Sequence, residues 1–319
     1  MRSTHHQLPV ERIHLYKWEP DEGEEVTGII HLVHGSCEHA RRYEHFARYL
    51  TDHGLIVYAS DLRGHGWSVN KREELGFFGE RDGWVGMVED LRHVTALARA
   101  EHPDLKVMLI GHSMGSFLAR HYAIVAGEEL DGLVLIGTAH QPRILLHLAR
   151  GIAKWIIRSK GIMYRSHFLN KLSYESFNRK FQPARTMQDW ISRDEGEVDR
   201  FISDEQCGFV FTAGGFRDMF EGLLFITKTA NVLHTPRDLP VALLSGQDDP
   251  VGSFGKTVNK ACHCYRKAGV KQVELTLYDG MRHEILNEIG REQVYSDILK
   301  WLYDRVLKPV RQTVHPSSS

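Results

Sequence analysis

Short, almost wholly apolar runs recur along the chain and alternate with longer stretches in which apolar residues return every three or four positions. The runs are Thr27 to Val33, Leu55 to Ala59, Val107 to Ile110, Leu133 to Ile136 and Val241 to Leu244, and Gln272 to Tyr278 reads as the last strand. Runs this short with no polar alternation read as strands buried on both faces. The stretches between them predict helices over 41–53, 84–101, 116–126, 254–268 and 291–307, the second stopped by Pro103. Strand and helix in alternation give an α/β protein whose central sheet is mostly parallel and flanked by helices.

Two regions depart from this rhythm. Residues 9 to 18 alternate polar and apolar positions as an edge strand does, and the acidic turn Asp21 to Glu25 follows, so a hairpin opens the fold. From about Gly137 to Leu239 helices occur with no buried strand, which marks an inserted helical cap. The chain divides into a core of residues 1–137, a cap or lid of 138–235, a second part of the core at 236–307, and a polar tail, 308–319, expected to be disordered.

Within the cap, Arg143, His147, Arg150, Lys154 and Arg158 fall in an arc of about 80° when 143–158 is drawn as a helix. Leu145, Leu148, Ala149, Ile152 and Ile156 lie opposite, and no acidic residue occurs from Arg143 to Lys171. A basic amphipathic helix of this kind suits peripheral contact with an anionic membrane. It equally suits a cap helix with a solvated basic face, or one paired with the acidic stretch 189–205. The segment 208–225 carries Phe209, Phe211, Phe216, Met219 and Phe220 around Gly214-Gly215 and reads as a flexible aromatic stretch, lining an acyl pocket or forming the cap's own core.

Composition narrows the classes. The 319 residues are 42% hydrophobic and 25% charged, with a net charge of -1, so nothing favours nucleic acid. No apolar run reaches the length of a membrane span. The N-terminal seven residues lack the apolar core of a signal peptide, and four irregularly spaced cysteines make no disulfide framework; both favour the cytoplasm. Cys262-His263-Cys264 has no second pair to complete a zinc site and reads as packing, and 283–287 has Asn287 where a zinc-protease helix needs histidine. No metal or organic cofactor is called for.

The chemistry centres on Gly111-His112-Ser113-Met114-Gly115. A strand before it and a helix after it make Gly-x-Ser-x-Gly resemble the nucleophile elbow of α/β-hydrolases. There a sharp turn lifts the serine clear of the sheet, and the helix start points free N–H groups at developing negative charge. In that fold the acid and then the histidine follow the serine, on loops after later strands. The loop after 241–244 holds Asp248 and Asp249, and the loop after 272–278 holds His283 as its one histidine. Two oxyanion donors are needed, the N–H of Met114 and one from the loop His34 to His39, with the N–H of Ser36 the best placed.

Three ordered segments carry a closer resemblance. His34 to Tyr43 is similar to HGxxEHxxRY, Asp61 to Ser68 to DxRGHGxS, and 111–115 to GHSMG, as found in the monoacylglycerol lipase and bacterial lysophospholipase-like family of α/β-hydrolases. The resemblance covers roughly 9–137 and 236–307 but not the cap. It implies Ser113 as nucleophile, Asp249 as acid, His283 as base, and Ser36 and Met114 as oxyanion donors. Ser36 and Cys37 stand where the family often has small apolar residues. Glu38, Arg41, Tyr43, Asp61, Arg63 and His65 are expected to fix the two loops. The expected activity is hydrolysis of carboxylic esters, with a small-molecule acyl ester, monoacylglycerol or lysophospholipid as partner. The alternatives are an aminopeptidase of the proline-iminopeptidase type, marked by an acidic pocket for a substrate amine, and a non-catalytic binding protein of the same fold.

Overall fold

The computed structural model describes residues 1–8 and 13–307. Eight strands form one sheet: β1 (Arg2–Gln7), β2 (His14–Glu19), β3 (Gly28–Val33), β4 (Leu55–Ser60), β5 (Val107–His112), β6 (Gly132–Ile136), β7 (Val241–Gly246) and β8 (Val273–Tyr278), in the order β1-β2-β4-β3-β5-β6-β7-β8. All neighbours from β4 to β8 are parallel, while β1 and β2 are antiparallel additions at one side. The helices α1 (Glu44–Thr51), α2 (Gly83–Glu101), α3 (Met114–Ala126), α9 (Lys256–Lys267) and α10 (Arg291–Leu302) belong to this frame. Between β6 and β7 come α4 (Arg143–Lys160), α5 (His167–Tyr174), α6 (Glu195–Ser203), α7 (Ala213–Ile226) and the short α8 (Thr229–Val232).

Strands β3 to β7 are buried at every position, which is why they read as continuous apolar runs. One core packs the sheet against α2, α3, α7 and α9, and a second packs its other face against α1 and α10. Chain progress along the sheet reverses at β3, since β4 lies on one side of it and β5 on the other. The loops after β3 and β5 therefore diverge at their carboxyl ends and leave a crevice.

The opening hairpin differs from the sequence reading. Its second strand, β2, is not an edge: it lies between β4 and β1, and its partner is the polar segment Arg2–Gln7, upstream of it. Every residue of β1 is exposed, so no apolar periodicity could announce it. Residues 9–12 of the predicted strand and the tail 308–319 lie outside the described residues. Residues 213–226, expected to be flexible, are a helix with Phe216 fully buried. Gly214 and Gly215 let it press against Ile162 and the Gly76 carbonyl. Cys262 is buried in the first core, Cys264 packs against that core beside His140, and all four cysteines are free thiols.

Candidate active site

Ser113 stands between β5 and α3 with φ 51° and ψ −119°, a conformation rare for a residue with a side chain. Its N–H bonds to the Ile136 carbonyl at 2.8 Å, and its own carbonyl accepts from Ser116. The turn is so tight that a Cβ on Gly111 would lie 2.4 Å from the Gly115 carbonyl oxygen. One on Gly115 would lie 2.3 Å from that of Val33. Both positions exclude any side chain.

His283 Nε2 lies 2.8 Å from Ser113 Oγ. On the other side of the ring, Nδ1 lies 3.0 Å from Asp249 Oδ1, off the hydrogen-bond axis, so the contact is first of all electrostatic. Asp249 is fully buried and fixed by the Val251 N–H at 2.8 Å and the Ser245 hydroxyl at 3.1 Å. Asp248 is exposed one residue away, so of the two aspartates only Asp249 meets the histidine. Burial alone would lower the His283 pKa; Asp249, Glu284 and Glu38 outweigh it and raise the value above the ordinary 6.5.

The loop after β3 closes on Ser113, since a Cβ on Gly35 would lie 3.1 Å from that of Ser113. His34 fixes this loop. Its Nε2 accepts the Leu62 N–H at 2.9 Å, so its proton sits on Nδ1, which donates to the Gly35 carbonyl at 2.8 Å. Burial lowers its pKa and favours this neutral form. The Gly35 carbonyl shares a trans peptide plane with the Ser36 N–H, so holding one end aims the other the opposite way. Among the described residues neither the Ser36 nor the Met114 N–H donates to a protein acceptor.

Asp61 ties this loop to the next by accepting from the Ala40 and Trp67 N–H groups, and Arg63 forms a two-pronged pair with Asp90. His65 lies among Phe78, Phe209 and Phe211. Glu38 accepts from the Gly35 N–H at 2.6 Å and from Tyr43 at 2.7 Å. Arg41, expected to help, has a side chain 69% exposed; its neighbour Arg42 is the buried cation, contacting Glu38 at 2.5 Å and Glu284 at 2.9 and 2.7 Å. The sequence reading missed Arg42 and Glu284, although Arg42 is the arginine beside Tyr43 in the quoted motif.

Two cavities meet at Ser113. The larger, about 800 Å³, runs between Met114, Phe117, Leu145, Ile152, Met219 and Leu223. The smaller, about 80 Å³, lies between Glu38, Asn170, Gln188, His283 and Glu284, and Ser36, Tyr174 and Trp190 line both. Phe211 and Phe216 thus belong to the core shared with the sheet, while Met219 and Phe220 also line the larger cavity. The segment between β6 and β7 is pinned beside His283: the Glu284 N–H bonds to the Ile191 carbonyl at 2.7 Å, and Arg282 donates to the Asp189 and Ser192 carbonyls.

Helix α4 has three faces, not two. Leu146, Ala149, Ala153 and Ile156 are buried; Ile144, Leu145, Leu148 and Trp155 are at least 58% exposed; the basic residues form the third. The core uses about half of the apolar arc read from the sequence. Lys154 pairs with Glu221 at 3.0 Å, and Arg143 donates to the Leu224 carbonyl, so part of the basic face is bound to α7. Among the described residues one group, His39, Asp204 and Cys207, has donor atoms within 4.8 Å of one another, close enough to share a metal ion. His39 Nε2 and Asp204 already hold each other at 2.9 Å, which joins the loop after β3 to the cap without one.

A mostly parallel sheet with a serine elbow at its switch point defines an α/β-hydrolase. The model of the family described as serine aminopeptidase, S33, matches residues 24–290, and the chain belongs to that family. A monoacylglycerol lipase of Mycolicibacterium smegmatis is 28% identical over 89% of this chain and 90% of its own length. The human monoglyceride lipase is 26% identical over 87% of this chain and 82% of its own. Among solved structures, a thermostable carboxyl esterase from Bacillus coagulans, in complex with glycerol, superposes with a TM-score of 0.87 and 27% identity, covering 96% of this chain and 99% of that one.

Proposed function

We propose that the protein is a serine hydrolase of carboxylic esters, with a lipid such as a monoacylglycerol or lysophospholipid as substrate. The observation that carries this is the Ser113–His283–Asp249 chain set between a large, mostly apolar cavity and a small one of mixed polar and apolar lining. An acyl chain fits the first and a compact alcohol the second. The relatives named for monoacylglycerols support the same substrate class.

In this reading His283 Nε2 takes the Ser113 proton as Oγ attacks the ester carbonyl, and Asp249 stabilises the imidazolium that forms. The N–H groups of Ser36 and Met114 receive the oxyanion. His283 returns the proton to the leaving alcohol, and a water activated by the same histidine then releases the acid from Ser113. Nothing in this sequence of steps needs a metal or cofactor. Residues 138–235 act as a lid on the two core parts, 1–137 and 236–307; the run of helices with no sheet strand between β6 and β7 supports that division.

The test is hydrolysis of p-nitrophenyl esters from two to sixteen carbons and of monoacylglycerols, with Ser113→Ala as control. A parent protein inert on all of them and unlabelled by a fluorophosphonate sinks the reading in favour of a binding protein. The aminopeptidase reading is weaker. Glu38 and Glu284, the carboxylates lining the small cavity, are both engaged by Arg42, so a substrate amine must compete with a guanidinium.

The exposed apolar arc of α4, joined by Phe168 and Leu172 of α5, suits contact with a lipid surface. Leu145, Leu148 and Leu172 also line the larger cavity, which gives a lipid a route to Ser113. No described helix is long and apolar enough to cross a membrane. Four free thiols support a reducing, cytoplasmic setting. Liposome co-sedimentation should weaken when Leu148 and Trp155 become serine; a parent that never sediments ends the membrane reading.

A further inference from the structure

The loop after β3 and the loop after β8 share no strand pairing, yet the reaction needs both in register: one carries Ser36, the other His283. One side chain reaches both. Arg42 contacts Glu38 Oε2 at 2.5 Å and forks onto Glu284 at 2.9 and 2.7 Å, with side chains only 9%, 2% and 5% exposed. Glu38 holds the Gly35 N–H, and Glu284 directly follows His283. A second thread runs beside it, from Glu38 through the Tyr43 hydroxyl to His112 Nδ1 at 2.7 Å, and from His112 Nε2 to the His283 carbonyl at 3.3 Å.

We propose that Arg42 is a positioning residue of the catalytic site, which holds the oxyanion loop and the histidine loop at a fixed separation by gripping Glu38 and Glu284 together. The inference rests on the serine-hydrolase reading above. Stability alone explains the arrangement poorly, because a buried ion pair roughly breaks even against apolar packing and here two carboxylates share one cation. What the arrangement adds is geometry and a net negative charge beside the base. The groups facing His283 are Asp249 from the loop after β7, Ser113 and His112 from the elbow, Glu38 from the loop after β3, Glu284 from its own loop, and the neutral Trp190 from the cap. Arg42 offsets one unit of that charge. The rest favours the imidazolium that forms during attack.

The experiment measures kcat and KM on a p-nitrophenyl ester across pH for the parent, Arg42→Gln, Arg42→Lys and Glu284→Gln, with far-UV circular dichroism and melting curves for each. In Arg42→Gln, kcat should fall about 10- to 100-fold with KM within about threefold, because misplaced groups cost the transition state and not ground-state binding. Arg42→Lys should recover only part of the loss, since an ammonium cannot fork onto one carboxylate while holding another. Glu284→Gln, close in shape, removes one charge facing the base, so the acid limb of kcat/KM should move to lower pH. A role confined to folding leaves that limb in place. The inference is overturned if both folded variants keep kcat within about twofold with an unmoved limb, or if the loss falls wholly in KM. Should Arg42→Gln not fold, the limb of Glu284→Gln decides. An inert parent defeats the functional reading instead.

Discussion

His283 Nε2 and Ser113 Oγ, 170 residues apart in the chain, stand 2.8 Å apart in the fold. The separation is that of a hydrogen bond ready to become a proton transfer. If it does so, Ser113→Ala and His283→Ala each lower kcat by at least about 10⁴-fold, and the double variant is little worse, because the groups act as one unit. Asp249→Asn should cost about 10⁴-fold through the wrong tautomer, while Asp248→Asn stays close to the parent. Steady-state ester hydrolysis and fluorophosphonate labelling read all five.

His34 offers a sharper probe, since it lies outside the proposed triad. Its Nδ1–H holds the Gly35 carbonyl and thereby aims the Ser36 N–H. His34→Phe fills the space but frees the peptide, and kcat should fall by about 10²-fold, the lower end of what one oxyanion donor is worth, with KM little changed. A variant that keeps the parent kcat would show that the peptide holds its orientation unaided.

The raised pKa of His283 fixes the direction of two pH effects. If His283 is the base, it must be neutral to accept the serine proton, so the acid limb of kcat/KM should have its midpoint above 6.5, the ordinary histidine value. For stability the sign is reversed: a folded-state pKa raised above the unfolded one contributes stability below the unfolded value, which is lost as pH rises through the folded one. The melting-temperature advantage of the parent over His283→Gln should therefore shrink from pH 6 toward pH 9. A constant difference would exclude the shift.

Ile152 lines the larger cavity from a half-buried position on α4. Ile152→Trp should shorten the space for an acyl chain and cut kcat/KM for esters of twelve or more carbons by about tenfold or more, a change of about 1.4 kcal/mol, with two- to four-carbon esters unaffected. Equal losses at every chain length would place the acyl chain elsewhere.

The sequence by itself determined the parallel strands, the serine elbow, the histidine loop and the interruption of the sheet rhythm between β6 and β7. These are legible because each is written in residues close in sequence: a buried strand admits few polar side chains over five or six positions, and the elbow needs its glycines within five. Tertiary structure decided what depends on direction. Asp249 and not Asp248 meets His283, and Arg42 and not Arg41 turns inward, because adjacent side chains point different ways and only a partner from a distant loop selects one. The exposed strand β1 exists because β2 presents a free edge to it, and its own residues show no periodicity. The apolar arc of α4 split into a buried half and an exposed half for the same reason. Periodicity reports that a face is apolar, but only the packed neighbours settle how much of it they cover.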